Sequence, residues 1–254
     1  MSFVVRAALP GDRLPSLRAL VEAASDATDL RVELEEDVAR LQGEGRRESS
    51  WCPWPRSRVL FFVPASSTRG VEISVEPRGE DVEVRVTVPV LATWTDWRLG
   101  IELACALADS GDGGATVDGE GRFLPAGLRS HFLQGEERYV TECLAGAERL
   151  RSSVEEGRIV RVGGPAGFAA IGPRVWAELA DGDPDELPLR LVDRIQESIE
   201  ARGFENYYPA QLLCLDGRDG REILASLLPP EKDTLLRDPE YILVSPDLEV
   251  EGGA

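Results

Sequence analysis

Residues 71–90 read VEISVEPRGEDVEVRVTVPV, and their pattern decides the fold. Val71, Ile73 and Val75 alternate with Glu72, Ser74 and Glu76. After the turn residues PRGED the alternation resumes with Val82, Val84, Val86, Val88 and Val90 against Glu83, Arg85 and Thr87. Successive side chains of a strand point to opposite faces. A period of two on both sides of a Pro-Gly turn therefore predicts an antiparallel hairpin with one dry face and one wet, acidic face. Such a sheet needs helical cover on one side only. The expected class is α+β, with an antiparallel-rich sheet and covering helices in the first half.

The flanking sequence agrees. FVVRAA (3–8) reads as a first strand, and Asp12 and Pro15 open a helix carrying Leu14, Leu17, Leu20 and Val21 on one face. A short strand near Leu30 to Leu34 precedes a second helical spacing, Leu34, Val38 and Leu41. The segment 43–57, GEGRRESSWCPWPRS, breaks every periodicity and is expected to be a long loop. VLFFV (59–63) is a continuous apolar run suited to a central strand buried on both faces. Thr93 and Asp96 fit a capping box for a helix bearing Trp94, Trp97, Ile101, Cys105 and Ala108. That helix stops at SGDGG, and ATVDGEGRF resembles a further short strand.

The second half opens on an amphipathic helix from about Glu136 to Val154, with Tyr139, Val140, Cys143, Leu144, Ala147 and Leu150 on one face. RIVRV (158–162) is a strand. DGDPDELP (181–188) is an acidic loop that leads, through Pro188, into a helix with Leu191, Val192, Ile195 and Ile199 as its stripe and Gly203 as its C-terminal glycine. QLLCLDGRDGREILASLL reads as two strands around DGRDG, and EYILV (240–244) as a closing strand. The pattern changes around FLPAGLRSHF. The expected organisation is an α+β subdomain over 1–127 and a second α+β half over 128–254 packed against it, with one continuous domain as the alternative.

The charge balance is 28 Lys and Arg against 46 Asp and Glu, a formal net charge of -18. Phosphate backbones repel such a chain, and no Lys/Arg-rich run is present, so nucleic acid is not an expected partner. An acidic field steers basic partners instead. Arg supplies every basic residue except Lys232, a bias in keeping with a GC-rich, bacterial genome. No apolar run approaches the ~20 residues a membrane-spanning helix needs. No basic stretch followed by an apolar core stands near Met1, so the expected compartment is the cytoplasm. Cys52, Cys105, Cys143 and Cys214 contain no CxxC pair, so the cysteines read as reduced and a zinc site is not expected.

Catalytic equipment is sparse. DSGDGGATVDGE (109–120) has the length of a calcium loop, but Gly111 and Gly113 stand where two carboxylate ligands belong, so it reads as a helix stop and turn. RVGGPAGF (161–168) follows a strand but lacks the GxGxxG order and a P-loop Lys, so it too reads as a turn. The lone His131 reads as a surface or capping residue. The acidic pairs Glu35–Glu36, Glu136–Glu137 and Glu155–Glu156 read as solvated helix charge. No catalytic residue, cofactor or metal is expected.

Trp51 and Trp54 are the unusual pair, because tryptophan in a polar loop either plugs a core or anchors a partner. With the acidic run Asp181, Asp183, Asp185 and Glu186 they form the candidate partner-binding set. The leading functional expectation is a non-enzymatic protein-binding protein, in its sharpest form an immunity or antitoxin-type protein that neutralises a basic toxin. The alternatives are an enzyme with a site built from dispersed carboxylates, Arg and His131, or an assembly component of a larger complex. A pocket gathering His131, Asp112, Asp118 and Glu120 would favour the enzyme, and a large exposed apolar patch the assembly component.

Overall fold

The computed structural model describes residues 2–34, 58–64, 66–111, 113–164 and 167–200, followed by the backbone of five short strands between 208 and 244. The fold is α+β. Seven strands pair in the order β2-β3-β4-β5-β1-β6-β7: β1 (Phe3–Pro10), β2 (Glu33–Leu34), β3 (Val59–Phe62), β4 (Val71–Arg78), β5 (Asp81–Val88), β6 (Ala115–Val117) and β7 (Gly121–Phe123). Every pairing is antiparallel. Helix α2 (Trp94–Ser110) lies across the dry face of this sheet, with α1 (Leu17–Thr28) and α3 (Pro125–Phe132) packed beside it.

The hairpin of β4 and β5 forms as expected, from Glu72 opposite Thr87 to Arg78 opposite Asp81, but Pro77, Arg78 and Asp81 of the expected turn are paired strand residues and the turn is Gly79 and Glu80. Val71, Ile73, Val82, Val84, Val86 and Val88 are buried beneath α2, while Val75 and Val90 are half-buried at its margins. VLFFV differs from expectation. β3 stands second from the sheet edge, with Val59 and Phe61 buried and Leu60 and Phe62 only half-buried. Its wet-facing positions are apolar, so the run looked two-sided. ATVDGEGRF also differs, folding into two strands, β6 and β7, joined through Gly119 at φ 82°.

The wet face is not acidic. Arg6 lies directly opposite Arg85, and Glu76 opposite Glu83, an arrangement unfavourable in isolation. Diagonal and same-strand pairs compensate for it. Arg6 reaches Asp118 at 2.8 Å and Glu83 at 4.0 Å, Arg78 reaches Glu76 at 3.1 Å, Arg85 lies 3.8 Å from Glu76 and 3.7 Å from Glu83, and Arg58 meets Glu72 at 3.1 Å. Four carboxylates thus face four guanidiniums, and mutual cover leaves Glu83 and Arg85 half-buried.

One hydrophobic core continues from the sheet into the second half through Phe3, Trp97, Phe132, Tyr139, Cys143 and Val192. α3 runs across position 127. Trp97 is at the centre, with its ring centroid 4.5 Å from that of Phe3 and its indole N–H donating to the Phe132 carbonyl at 3.0 Å. Helices α4 (Glu137–Glu155), α5 (Pro173–Ala180) and α6 (Leu187–Glu200) pack on one another and on a hairpin of β8 (Val160–Gly164) and β9 (Gly167–Ile171). That hairpin touches the loop before β4: a Cβ at Gly164 would fall inside van der Waals contact with the Thr68 carbonyl oxygen. Only glycine permits this approach.

Leu91 has φ 58°, a left-handed conformation that is a genuine outlier for a bulky residue. Its neighbours are fixed from both sides. Tyr139 Oη donates to the Ala92 carbonyl at 3.1 Å, and Arg69 Nη1 donates to the Val90 carbonyl at 3.1 Å. Further on, β11 (Gln211–Asp216) pairs antiparallel with β12 (Glu222–Leu228), which pairs parallel with β14 (Tyr241–Val244). β10 (Tyr208–Pro209) pairs parallel with β13 (Thr234–Leu235). Among the described residues no helix is long and apolar enough to cross a membrane. Leu34 belongs to β2, while Val38, Leu41, the pair Glu35–Glu36 and Gly203 fall outside the described residues.

Candidate functional site

The acidic loop between α5 and α6 is held in one shape by its own backbone. Asp181 N–H donates to Ala177 O at 3.1 Å, Gly182 N–H to Ala180 O at 3.0 Å, Glu186 N–H to Asp183 O at 3.2 Å, and Leu187 N–H to Pro184 O at 3.3 Å. Asp183 Oδ1 accepts from the Asp185 N–H at 3.0 Å, an Asx turn. Arg190, one turn into α6, straps the loop by donating Nη2 to the Asp183 carbonyl at 2.7 Å, and a side chain at Gly182 would collide with its guanidinium.

Asp181, Asp183, Asp185 and Glu186 are all exposed and form no ion pair with any described residue. Much of the loop has an ordinary explanation. Asp183, Asp185 and Glu186 precede the first turn of α6, where the helix macrodipole stabilises an anion by about 0.3–1 kcal/mol. Asp181 is different, because it caps the C-terminal end of α5 and opposes that dipole. The loop is a preorganised display of negative charge, in contrast with the internally neutralised sheet face.

A second cluster forms around Glu120, in the turn between β6 and β7. His131 Nε2 lies 3.2 Å from Glu120 Oε2, Arg138 Nη2 is 2.6 Å from Glu120 Oε1, and Arg138 also reaches Glu142 at 3.1 Å. The imidazole stacks on Phe123, with centroids 5.4 Å apart. Of the residues that would make an enzyme site, the structure thus brings together His131 and Glu120. Asp118 turns instead to Arg6, and Asp112 lies outside the described residues. The His131 side chain is 54 % exposed, and the neighbouring Ser130 hydroxyl donates to the Gly127 carbonyl rather than to the imidazole. A general base needs a nucleophile within hydrogen-bond reach, and among the described residues none is placed there.

A cavity of about 10 Å³ lies between Phe3, Val88, Leu91, Trp97, Tyr139 and Cys143. It has room for one water, far below the roughly 300 Å³ of a small-molecule site. Among the described residues no group of three or more His, Cys, Asp or Glu is placed to hold a metal. Of the described large apolar side chains only Leu124 and Leu144 are exposed, and they are scattered rather than forming a patch.

Cys105 and Cys143 are buried free thiols. Burial pushes Cys105 up to about 12 and Cys143 up to about 11, from an ordinary value of 9.0. Burial likewise raises the Tyr139 phenol, and the neighbouring Cys143 adds to the effect. The folded protein therefore keeps protons that the unfolded chain has already lost. Stability from these groups is full below about pH 9 and falls as pH rises towards 11 and 12. We expect urea unfolding at pH 8, 9 and 10 to show a decline that steepens towards about 1.4 kcal/mol per pH unit for each thiol. A flat profile over that interval would contradict the burial of both thiols.

Trp51 and Trp54 fall outside the described residues, as does Cys52. Composition alone revealed the acidic loop, but not the Arg190 strap that shapes it. In the sequence, Glu120 belongs to a calcium-loop pattern and to the candidate enzyme pocket with His131, and its pairing with Arg138 of another element leaves no signal there. No protein family, curated protein or solved structure matches the chain.

Proposed function

We propose that this chain is a non-enzymatic protein-binding protein that captures a basic protein, as an immunity or antitoxin-type protein neutralises a toxin. The 181–186 loop is the steering element. The supporting observation is the contrast between this exposed, Arg190-strapped acidic loop, whose carboxylates form no ion pair with a described residue, and a sheet face whose charges are matched within the chain. Trp51 and Trp54 are assigned the role of apolar anchors that hold the partner after encounter.

The test begins with affinity purification of the partner from the native host. Asp181→Asn, Asp183→Asn, Asp185→Asn and Glu186→Gln are then combined, which keeps the Asx-turn acceptor while removing four charges. We expect the association rate at low salt to fall about tenfold or more and its salt dependence to flatten, with little change in dissociation. Alanine at Trp51 and Trp54 is expected to act on dissociation instead. An acidic partner, or an association rate indifferent to ionic strength, would refute the proposal.

The enzyme reading draws on the His131–Glu120 contact alone. His131→Ala is expected to leave partner binding and biological activity intact. A hundredfold loss with unchanged circular dichroism would favour the enzyme.

A further inference from the structure

We propose that the loop Thr68–Gly70, together with Thr93, is a carboxylate receptor whose ligand the native protein supplies from within, as the side chain of Asp96. Asp96 is 0 % exposed, yet it carries more donors than its place in the helix requires. Oδ1 accepts from the Gly70 N–H at 3.0 Å. Oδ2 accepts from the backbone N–H groups of Thr68 at 3.1 Å, Arg69 at 3.1 Å and Thr93 at 3.2 Å, with the Thr68 hydroxyl at 3.4 Å and the Thr93 hydroxyl at 3.1 Å, the latter sharing its one proton with the Ser66 carbonyl at 3.0 Å. A capping box at the start of α2 needs only the reciprocal contact between Thr93 and Asp96. The three consecutive loop donors come from 26 to 28 residues away and go beyond it.

Successive main-chain N–H groups converging on one anion form a nest, the geometry used elsewhere to bind free anions. The local charge agrees. The Arg69 guanidinium is partly buried, its Nε is buried without a hydrogen-bond partner, and the negative charge nearest to it in effect is that of Asp96. Without the carboxylate, four inward N–H groups would face no anion, and the partly buried Arg69 would keep only the charge of Glu72 nearby. The loop also bears the Thr68 carbonyl on which Gly164 rests, so its conformation, and the seat of the β8–β9 hairpin, depend on the site being filled. Two oxygens approached from two sides suit a planar, bidentate anion. Removing the Asp96 side chain vacates the volume of acetate.

The experiment uses the full chain with Asp96→Gly. Melting is followed by circular dichroism at pH 7 in sodium chloride, formate, acetate and phosphate at matched ionic strength. We expect Asp96→Gly to melt well below the native protein in chloride, and its melting temperature to rise saturably with formate and acetate. The native protein and Asp96→Asn, whose side chain keeps the volume filled, should respond equally to all four salts. If Asp96→Gly does not fold in chloride, recovery of the native spectrum on refolding in formate supports the receptor, and failure in both salts overturns it. An Asp96→Gly response that is the same in every salt overturns it as well.

Discussion

Replacing Gly100 with valine is expected to leave little folded protein at 37 °C. Gly100 sits in the body of α2, where glycine costs about 1 kcal/mol against alanine in helix propensity. It is kept there for packing. A Cβ at this position would collide with Val88 Cγ2 of β5 and come within 3.7 Å of Val71 Cγ2 of β4. The helix cannot easily retreat, because its first turn is fixed by the Thr93–Asp96 capping box and Trp97 is tied to the Phe132 carbonyl. Overpacking a rigid core costs about 1–3 kcal/mol for a methyl, and valine adds three carbons, so a loss of about 4 kcal/mol or more is expected. That is a large part of the roughly 5–15 kcal/mol that holds a domain together. Urea unfolding of Gly100→Ala provides the graded measurement, and its loss should shrink when Val88→Ala is added, because the colliding methyl is then gone. A Gly100→Ala protein as stable as the native one would mean that the helix and sheet are farther apart than described.

Gly164→Ala is expected to have the second largest effect, and a more local one. Here both partners are main chain: the added methyl would fall on the Thr68 carbonyl oxygen and lie 3.2 Å from Arg69 Cα, and neither group can rotate aside. Either the β8–β9 hairpin or the loop before β4 must move, at a cost of about 2–4 kcal/mol. Hydrogen exchange distinguishes this from global destabilisation. Amides of Val160–Gly164 and Gly167–Ile171 should exchange much faster, while those at the centre of β5 keep most of their protection. Uniform acceleration across the protein would show that the hairpin does not open on its own.

The legible parts of this fold were those that repeat. The 71–90 hairpin, α2 with its capping box and α6 with its stripe each carry a period long enough to be unambiguous. The short pieces were not. PAGLRSHF and PRVWAELA are eight-residue helices without a side-chain cap, and their one signal is proline in the first turn. GFAAI forms β9 only because β8 lies beside it, and its small residues carry no alternation. The same limit applied to the sites. Four carboxylates near position 183 are visible in composition, whereas the neutrality of the sheet face depends on a register that sets Arg6 diagonal to Glu83. The reciprocal pair Thr93 and Asp96 was readable at a spacing of three, but the donors of Thr68, Arg69 and Gly70 come from another element.

The seven-stranded sheet begins with β2, two residues long, and ends with β7, three residues long. Open edges are where foreign chains join a sheet, by main-chain hydrogen bonds that any sequence can make. The described residues of these two strands offer a newcomer only two or three rungs, too few for a stable ladder. A partner that met the sheet at β2 or β7 would gain little by extending it and would be told apart through side chains, which makes discrimination between related partners a matter of surface chemistry that single substitutions can retune.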